Sequence, residues 1–182
     1  MSRADLVNLD TGLARVQIRQ LRAADLPALE WEGAYTHFRR VYARAYQRAL
    51  RGLSVLWVAE GEGGRLLGRV FVLLRSETDP AAADGKHRAF IYSFRVRSEV
   101  QNRGLGTRLI HIAETDLATR GFAIASLNVG ADNLGALRLY ERLGYQRQHP
   151  VSGYWTYEDH LGIQREVHEP GWRMCKSITN NK

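Results

Sequence analysis

Gln101-Asn102-Arg103-Gly104-Leu105-Gly106-Thr107 is the stretch that decides the fold. A strand-like run, residues 88–97, leads into it, and a helical pattern, residues 105–120, leads out of it. Glycines between a strand and a helix let the backbone approach a ligand closely, because no Cβ blocks the way. The first helical turn adds unpaired N–H groups and the positive end of the helix dipole. The stretch therefore predicts a site for an anion such as a pyrophosphate.

The residues after this stretch extend it to a βαβ unit. The helix shows apolar residues at helical spacing, and Gly121 is expected to end it. The strongly apolar run at 122–129 then predicts a strand beside a parallel neighbour. Strands 89–96 and 122–129 with helix 105–120 between them therefore form a right-handed crossover.

The N-terminal half predicts an antiparallel sheet with two helices. Residues 15–20, 54–60 and 66–75 read as strands, the last two joined by the hairpin turn 61–64 and followed by a polar loop over 76–87. Asp25 is expected to cap a short helix from Leu26, and Thr36 a longer one with an apolar face up to Leu50. Arginines share the opposite side of the longer helix, which we expect to be its solvated side.

The C-terminal third predicts one more helix and further strands. Asp132 or Asn133 can cap the helix, and Gly144 can close it. Strand material at 146–148 and 153–157 is interrupted by Pro150, the polar stretch 158–171 reads as a loop, and 172–178 alternates as a last strand.

Length and composition are those of one globular domain. The 182 residues, with 45% hydrophobic and 25% charged side chains, include no apolar run that could span a bilayer. We expect residues 1–12 to be a flexible lead without signal-peptide character and residues 13–182 to be a single domain. The single cysteine, Cys175, excludes an internal disulfide and suits the cytoplasm. The net charge of +7 fits a solvated surface and a phosphorylated ligand, or attraction to nucleic acid.

Two segments of the chain resemble the motifs of a known family. Val96 followed by the glycine-rich stretch resembles the acyl-CoA motif, V…(Q/R)xxGxG/A, of the GCN5-related N-acetyltransferases (GNAT). Residues 133–145, NLGALRLYERLGY, are similar to that family's NxxAxxLYExLGF segment. The two motifs lie in the family's order and spacing, and only Ser98, where proline is frequent, departs from the pattern.

The resemblance implies a fold and a co-substrate. The implied fold is an α/β, mixed and mostly antiparallel sheet of six to seven strands flanked by four helices, with strands 89–96 and 122–129 splayed apart. The implied co-substrate is acetyl-CoA, whose pantetheine arm would pair with the open strand while the helix tip holds its pyrophosphate. The implied binding residues are Phe94, Arg95, Val96, Gln101, Asn102, Arg103, Gly104, Leu105, Gly106, Thr107, Arg108, Asn133 and Ala136.

The resemblance also singles out Tyr140 for catalysis. A phenol within hydrogen-bond reach of the sulfur can protonate the departing thiolate, although the same ring can simply fill the inner face of its helix. Asn133 is likewise a helix cap, a contact to the co-substrate, or both. No carboxylate lies on the strand 89–96, so the general base stays open among Glu30, Glu32, Glu60 and a water relayed by Tyr92 and Ser93.

The acceptor is the least defined part of the prediction. By resemblance, residues 34–38 and 154–171 flank the acyl site, so either a cationic amine meets acidic side chains there or the loop is only solvated. The substrate candidates are Glu32, Tyr154, Trp155, Glu158 and Asp159. The histidines and glutamates between 149 and 169 fit no metal template, so no metal is predicted.

Two functions are therefore compared. The first is an acetyl-CoA-dependent N-acetyltransferase acting by direct attack on a small-molecule or peptide amine, without a membrane or nucleic-acid partner and possibly as a homodimer. The alternative is a catalytically weak acyl-CoA-binding module whose basic surface meets RNA or a protein.

Overall fold

A computed structural model describes residues 6–7 and 16–179. Ten strands and three α-helices follow one another in these ranges. The strands are β1 Leu6–Val7, β2 Val16–Gln20, β3 Ser54–Glu60, β4 Leu66–Leu73, β5 Arg88–Val96, β6 Ile124–Gly130, β7 Gln146–Val151, β8 Tyr154–Glu158, β9 Gln164–His168 and β10 Gly171–Ser177. The helices are α1 Arg39–Leu50, α2 Leu105–Thr119 and α3 Leu134–Arg142, with shorter 3₁₀ segments at Ala23–Glu30, Thr36–Phe38, Glu62–Gly64 and Ser98–Val100.

Eight strands form one mixed sheet in the order β1-β2-β3-β4-β5-β6-β10-β7. All neighbouring strands in this sheet are antiparallel except β5 and β6, which are parallel and are connected along the chain through α2. The remaining strands, β8 and β9, form a separate antiparallel hairpin. The seven strands of this mixed sheet that are longer than two residues, the three α-helices and the 3₁₀ helix Ala23–Glu30 match the predicted α/β architecture, which is confirmed.

The sheet has a core on each face because its strands alternate their apolar side chains. One core packs α2 and α3 against the sheet and includes Leu109, Leu137 and Met174. The other packs α1 and the 3₁₀ helix Ala23–Glu30 against the opposite face and includes Leu29 and Phe71. The two faces of β5 therefore meet different helices.

The parallel strands β5 and β6 separate halfway along their length. Their ladder runs from Arg88 opposite Ile124 to Ile91 opposite Leu127, whereas β5 continues to Val96 and β6 to Gly130. A register shift against β4 and a left-handed Ser93, with φ of +48°, mark a β-bulge at this point. A bulge bends and twists its strand. The predicted splay of this pair is therefore present, and the bulge accounts for it.

Several local predictions need correction. Thr36 does not cap α1, because its hydroxyl donates to Glu30 at 2.7 Å and the helix begins at Arg39. The predicted loop 158–171 contains β9, whose mostly exposed polar residues give no apolar alternation. Pro150 does not interrupt β7, since β7 lies at the sheet edge, where a missing N–H is tolerated. Most of the predicted flexible lead, 1–12, lies outside the described residues; within it, Leu6 and Val7 pair with β2.

Candidate active site

The open half of β5 presents backbone groups to a cleft. The N–H of Arg97 donates to the carbonyl of Leu67 at 2.9 Å, so this residue faces β4. In an antiparallel pair neighbouring residues point to opposite sides. The backbone groups of Val96 and, by the same alternation, of Phe94 therefore face the cleft that β6 has left. One of them, the Val96 carbonyl, accepts the Gln101 side-chain amide at 2.9 Å.

The glycine-rich turn places an open helix terminus at the mouth of this cleft. Asn102 and Gly104 take left-handed conformations, with φ of +58° and +80°, and Gly104 is the N-cap of α2. The first hydrogen bond of α2 runs from the N–H of Arg108 to the carbonyl of Gly104, at 3.1 Å. The N–H groups before it are free for a ligand. Because residues 101–108 contain two arginines and no acid, the terminus keeps its positive potential.

The two glycines of the turn have different roles. An added Cβ on Gly104 would meet open space but would keep the left-handed backbone, which a side chain disfavours. An added Cβ on Gly106 would lie 3.0 Å from Cζ of Phe94 and 3.6 Å from Cγ2 of Val96. A side chain at Gly106 would therefore first meet Phe94 of β5, and its effect on a bound phosphate stays a prediction. This glycine lets α2 approach the open part of β5.

Tyr140 lies beside the open half of β5. Its ring packs 6.1 Å from the Phe94 ring and 5.7 Å from the Tyr145 ring, and 6% of the residue is exposed. Within residues 16–179, its hydroxyl has no hydrogen-bond partner. Burial raises the pKa of Tyr140 well above 10, so the phenol keeps its proton. The ring fills the core as one interpretation predicted, and contact of the hydroxyl with the thioester sulfur stays a prediction.

The start of α3 confirms the cap role of Asn133. Its side-chain oxygen accepts the N–H of Ala136 at 3.1 Å. Ala136 itself is half-buried against the core that contains Tyr140. A contact of either residue with the co-substrate stays a prediction.

The predicted general bases are already engaged. Glu30 accepts bonds from Arg39 and Thr36, Glu32 from Arg97, and Glu60 from Arg19. The hydrogen bonds from Arg39 and Arg97 hold the pKa values of Glu30 and Glu32 below their usual range, which makes both carboxylates weak bases.

The proposed water relay also lacks support. The Tyr92 hydroxyl is buried without a hydrogen-bond partner among the described residues, and its ring packs against Phe71 in the α1-side core. The Ser93 hydroxyl accepts the Nε–H of Arg69 at 3.2 Å. Tyr92 therefore belongs to the core on the face away from Tyr140, and a relay through Ser93 stays a prediction.

An aromatic cluster joins the hairpin β8–β9 to the start of α1. Trp155 and Tyr157 lie 6.0 Å and 4.9 Å from the Phe38 ring, and Tyr154 is exposed beside them. Sequence reasoning placed these segments at the acceptor side of the site. Tyr154 and Trp155 keep accessible ring surface there.

The acidic residues of the hairpin are held by the chain itself. Glu158 binds Arg40 and Arg44 of α1, the latter at 2.6 Å, so these arginines are not simply solvated as expected. Asp159 is buried, accepts the N–H groups of Leu161 and Ile163, and binds Arg165 at 2.7 Å. The N–H of Ile163, with the neighbouring donors, lowers the pKa of Asp159 to about 2. Contact of these carboxylates with a cationic amine stays a prediction, and their ion pairs weigh against it.

One functional candidate was missed in the sequence. Arg69, in the middle of the apolar strand LLGRVFVL, is 1% exposed and lies among the rings of Trp31, Tyr35 and Tyr42. A charged residue inside an otherwise buried strand was the signal that could have found it. Within the described residues, no group of three acidic, histidine or cysteine side chains could hold a metal ion, and no helix is long and apolar enough to cross a membrane.

The splayed parallel strands and the open helix terminus are the geometry that the resemblance to the acyl-CoA-dependent acetyltransferases implied. The sequence model of the acetyltransferase (GNAT) family matches residues 17–145, which is more than half of the chain. The chain therefore belongs to the GNAT acetyltransferase family, and the resemblance found in the sequence is confirmed. Members of this family use acetyl-CoA as co-substrate.

Individual relatives are similar over part of the chain. The mycothiol acetyltransferase of Kocuria rhizophila is 34% identical over 95 residues, which are 52% of this chain and 30% of that protein. The mycothiol acetyltransferase of Streptomyces scabiei is 44% identical over 77 residues, which are 42% of this chain and 22% of that protein. The chain thus spans less than a third of the length of these curated relatives.

A solved structure agrees over almost the whole chain. The ribosomal-protein-S18-alanine N-acetyltransferase from Escherichia coli matches with a TM-score of 0.65 and 22% identity, covering 92% of this chain and 96% of that one. At this level of identity the likeness shows the fold.

Proposed function

We propose that the protein transfers an acetyl group from acetyl-CoA to a primary amine, by direct attack of the amine within a ternary complex. The observation that carries the proposal is the end of the β5–β6 ladder at Ile91 and Leu127. Beyond this point β5 continues for another five residues, and the backbone groups of Phe94 and Val96 face the cleft, close to the start of α2 and to the Tyr140 ring. Family membership supports the same chemistry.

The residues at the cleft fit acetyl-CoA. The free N–H groups at the start of α2 and the side chains of Arg103 and Arg108 would hold the pyrophosphate. The open backbone groups of Phe94 and Val96 would pair with the amide-bearing pantetheine arm, as an added strand pairs with a sheet edge. The bound molecule supplies an acetyl group activated as a thioester.

Two groups of this chain would assist the transfer. A backbone N–H near Phe94 would stabilise negative charge on the acetyl oxygen. The Tyr140 hydroxyl, which keeps its proton, would donate it to the departing sulfur. Cys175 is no acyl carrier in this scheme, because it lies opposite Ser126 in the zipped half of the sheet, and burial raises the pKa of its thiol.

The proton on the attacking amine leaves without a strong protein base. The candidate carboxylates at residues 30 and 32 have lowered pKa values because arginines bind them. We therefore infer that the amine loses its proton to water, so that the rate follows the amine's own ionisation.

A matched pair of tyrosine variants tests the proposal. Tyr140→Phe removes the hydroxyl at the cleft, whereas Tyr92→Phe removes a hydroxyl that is buried and unpaired on the other face. General acid catalysis contributes roughly 10²- to 10⁴-fold. We expect kcat of Tyr140→Phe to fall at least about 10²-fold, with an unchanged dissociation constant for CoA. Tyr92→Phe should keep wild-type kcat. Thiol release with an amine panel measures kcat, and calorimetry measures CoA affinity.

Two results would contradict the proposal. Equal kcat values for both variants would remove Tyr140 from the mechanism. CoA binding without thiol release for any amine would favour the binding-module alternative over an enzyme.

A further inference from the structure

Three arginines and two aromatic rings form a cluster on the α1-side face of the sheet, next to the bulge in β5. Arg69 of β4 lies 5.2 Å from the Trp31 ring and 5.1 Å from the Tyr35 ring. Arg95 lies 4.4 Å from the Tyr35 ring, and Arg97 lies 4.6 Å from the Trp31 ring. We call these five residues the arginine cluster. It borders the open half of β5 on the face opposite α2.

Arg69 is a buried cation that no carboxylate neutralises among the residues the structure describes. It donates to the Leu29 carbonyl at 3.0 Å and to the Tyr42 hydroxyl at 2.7 Å, besides its bond to Ser93. Burial lowers its pKa to about 10. A buried charge without a counter-ion destabilises the folded protein. Perturbed ionisable groups of this kind are typical of functional sites, so Arg69 indicates a binding role for this region.

The rest of the arginine cluster adds donors and positive charge. Arg95 is exposed and donates to the Tyr35 hydroxyl at 3.1 Å. Arg97 is paired with Glu32, the only carboxylate that binds any of the three arginines within the described ranges. The indole N–H of Trp31 is buried without an acceptor there. Guanidinium and indole groups donate and cannot accept, so the cluster favours a ligand made of acceptors.

The backbone beside the cluster is strained. Trp31 and Glu32 are consecutive left-handed residues, with φ of +45° and +56°, followed by Gly33. Such conformations cost free energy and cluster at ligand sites. The ion pair between Arg97 and Glu32 and the bond from Arg69 to Leu29 hold this segment in place.

The acidic side chains expected to attract a cationic amine are bound by arginines elsewhere, as Glu158 and Asp159 show. We propose that the acceptor is a primary amine that also carries an oxyanion, a carboxylate or a phosphate, and that the exposed Arg95 binds this group while the buried Arg69 adds positive charge behind it. This inference rests on the acetyl transfer proposed above. Arginine and an oxyanion form charge-assisted hydrogen bonds, which are stronger than neutral ones.

Matched amines test the inference. An aspartate dipeptide with an amidated C-terminus is compared with the amidated asparagine dipeptide, so that only the first carries a carboxylate. O-phosphoethanolamine is compared with ethanolamine to test the phosphate, and spermidine represents the polycations. We expect kcat/KM to be at least about tenfold higher for the anionic member of one pair. Arg95→Ala should raise KM for that amine about tenfold while leaving kcat nearly unchanged. Glu32→Gln should lower this KM, because it removes the one carboxylate. Arg51→Ala, an exposed arginine beyond the end of α1, is the control and should change neither value.

The outcomes separate this inference from the proposed function. Rapid acetylation of neutral amines or spermidine, with no preference for either anionic probe and no effect of Arg95→Ala, overturns the oxyanion subsite and leaves the acetyltransferase intact. If no amine releases CoA, the proposed function fails, and calorimetry with the two anionic probes in the presence of CoA decides the subsite. Binding that weakens in Arg95→Ala supports it, and absent or unchanged binding overturns it.

Discussion

The contact between α2 and the open part of β5 can be perturbed at one residue, Gly106. The substitution Gly106→Ala places a methyl group 3.0 Å from Cζ of Phe94, so the ring must move by a few tenths of an ångström. Gly135 is a matched control, because it is also the second residue of its helix, α3. A Cβ there would meet only the Asn133 side-chain oxygen, at an ordinary 3.9 Å.

The two substitutions should change the free energy of unfolding in opposite directions. Replacing a helical glycine by alanine gains about 0.5 to 1 kcal/mol from helix propensity. Gly135→Ala should therefore raise the free energy of unfolding by up to about 1 kcal/mol. Overpacking in a well-packed region costs about 1 to 3 kcal/mol. Gly106→Ala should therefore lower the free energy of unfolding by up to about 2.5 kcal/mol. The displaced Phe94 should also weaken CoA binding by about three- to tenfold.

Urea unfolding and calorimetry with CoA measure both effects. We expect the variant in α2 to lose stability and affinity for CoA, whereas the variant in α3 should lose neither. If Gly106→Ala is as stable as Gly135→Ala and binds CoA like the wild type, the close approach of α2 to β5 is not what requires this glycine.

Two further predictions concern loop and helix stability. Asp84 accepts the N–H groups of Arg88, Lys86 and His87, and the bond from Arg88 contributes most to lowering its pKa to about 2. Because the pKa is lower in the folded state, this stabilisation is present above about pH 4 and is lost as the pH falls towards 2. Asp84→Asn should therefore cost about 0.5 to 1 kcal/mol at pH 7, since solvent screens the charge, and the difference should vanish near pH 2 in urea titrations; a gap that does not vary with pH would refute this. Asn133→Ala should lose about 1 kcal/mol of stability with the cap, whereas Asn133→Ser should keep it; equal melting temperatures for the two variants would refute the cap.

The sequence predicted those elements whose signals are local. The glycine-rich turn, α2 and the apolar strands β3 to β6 carry periodic patterns and end signals within a few residues. The strand β9 was missed because it is an exposed hairpin partner, and exposed polar residues alternate without an apolar face. The predicted interruption of β7 at Pro150 was wrong for a similar reason, since only the sheet order shows that β7 is an edge strand.

The candidate site was predictable only where backbone groups and a motif define it. The ion pair between Arg44 and Glu158 joins residues 114 positions apart, so no local sequence pattern could predict that an arginine binds the Glu158 carboxylate. The bulge at Ser93 has no sequence signal either, because serine is not enriched in left-handed backbone conformations. The environment of Arg69 depends on rings from 27 to 38 positions away in the chain, although its place in an apolar strand was visible.

Hydrogen exchange at single backbone amides tests the open strand most directly. In the free protein, the N–H of Val96 should exchange faster than that of Arg97, which donates to Leu67. Saturating acetyl-CoA should slow exchange at Val96 and leave Ala89, in the zipped half, unchanged. Two results would contradict the proposal that the open half of β5 binds the pantetheine arm. One is a Val96 amide that is already protected without ligand, and the other is a Val96 amide whose exchange acetyl-CoA does not slow.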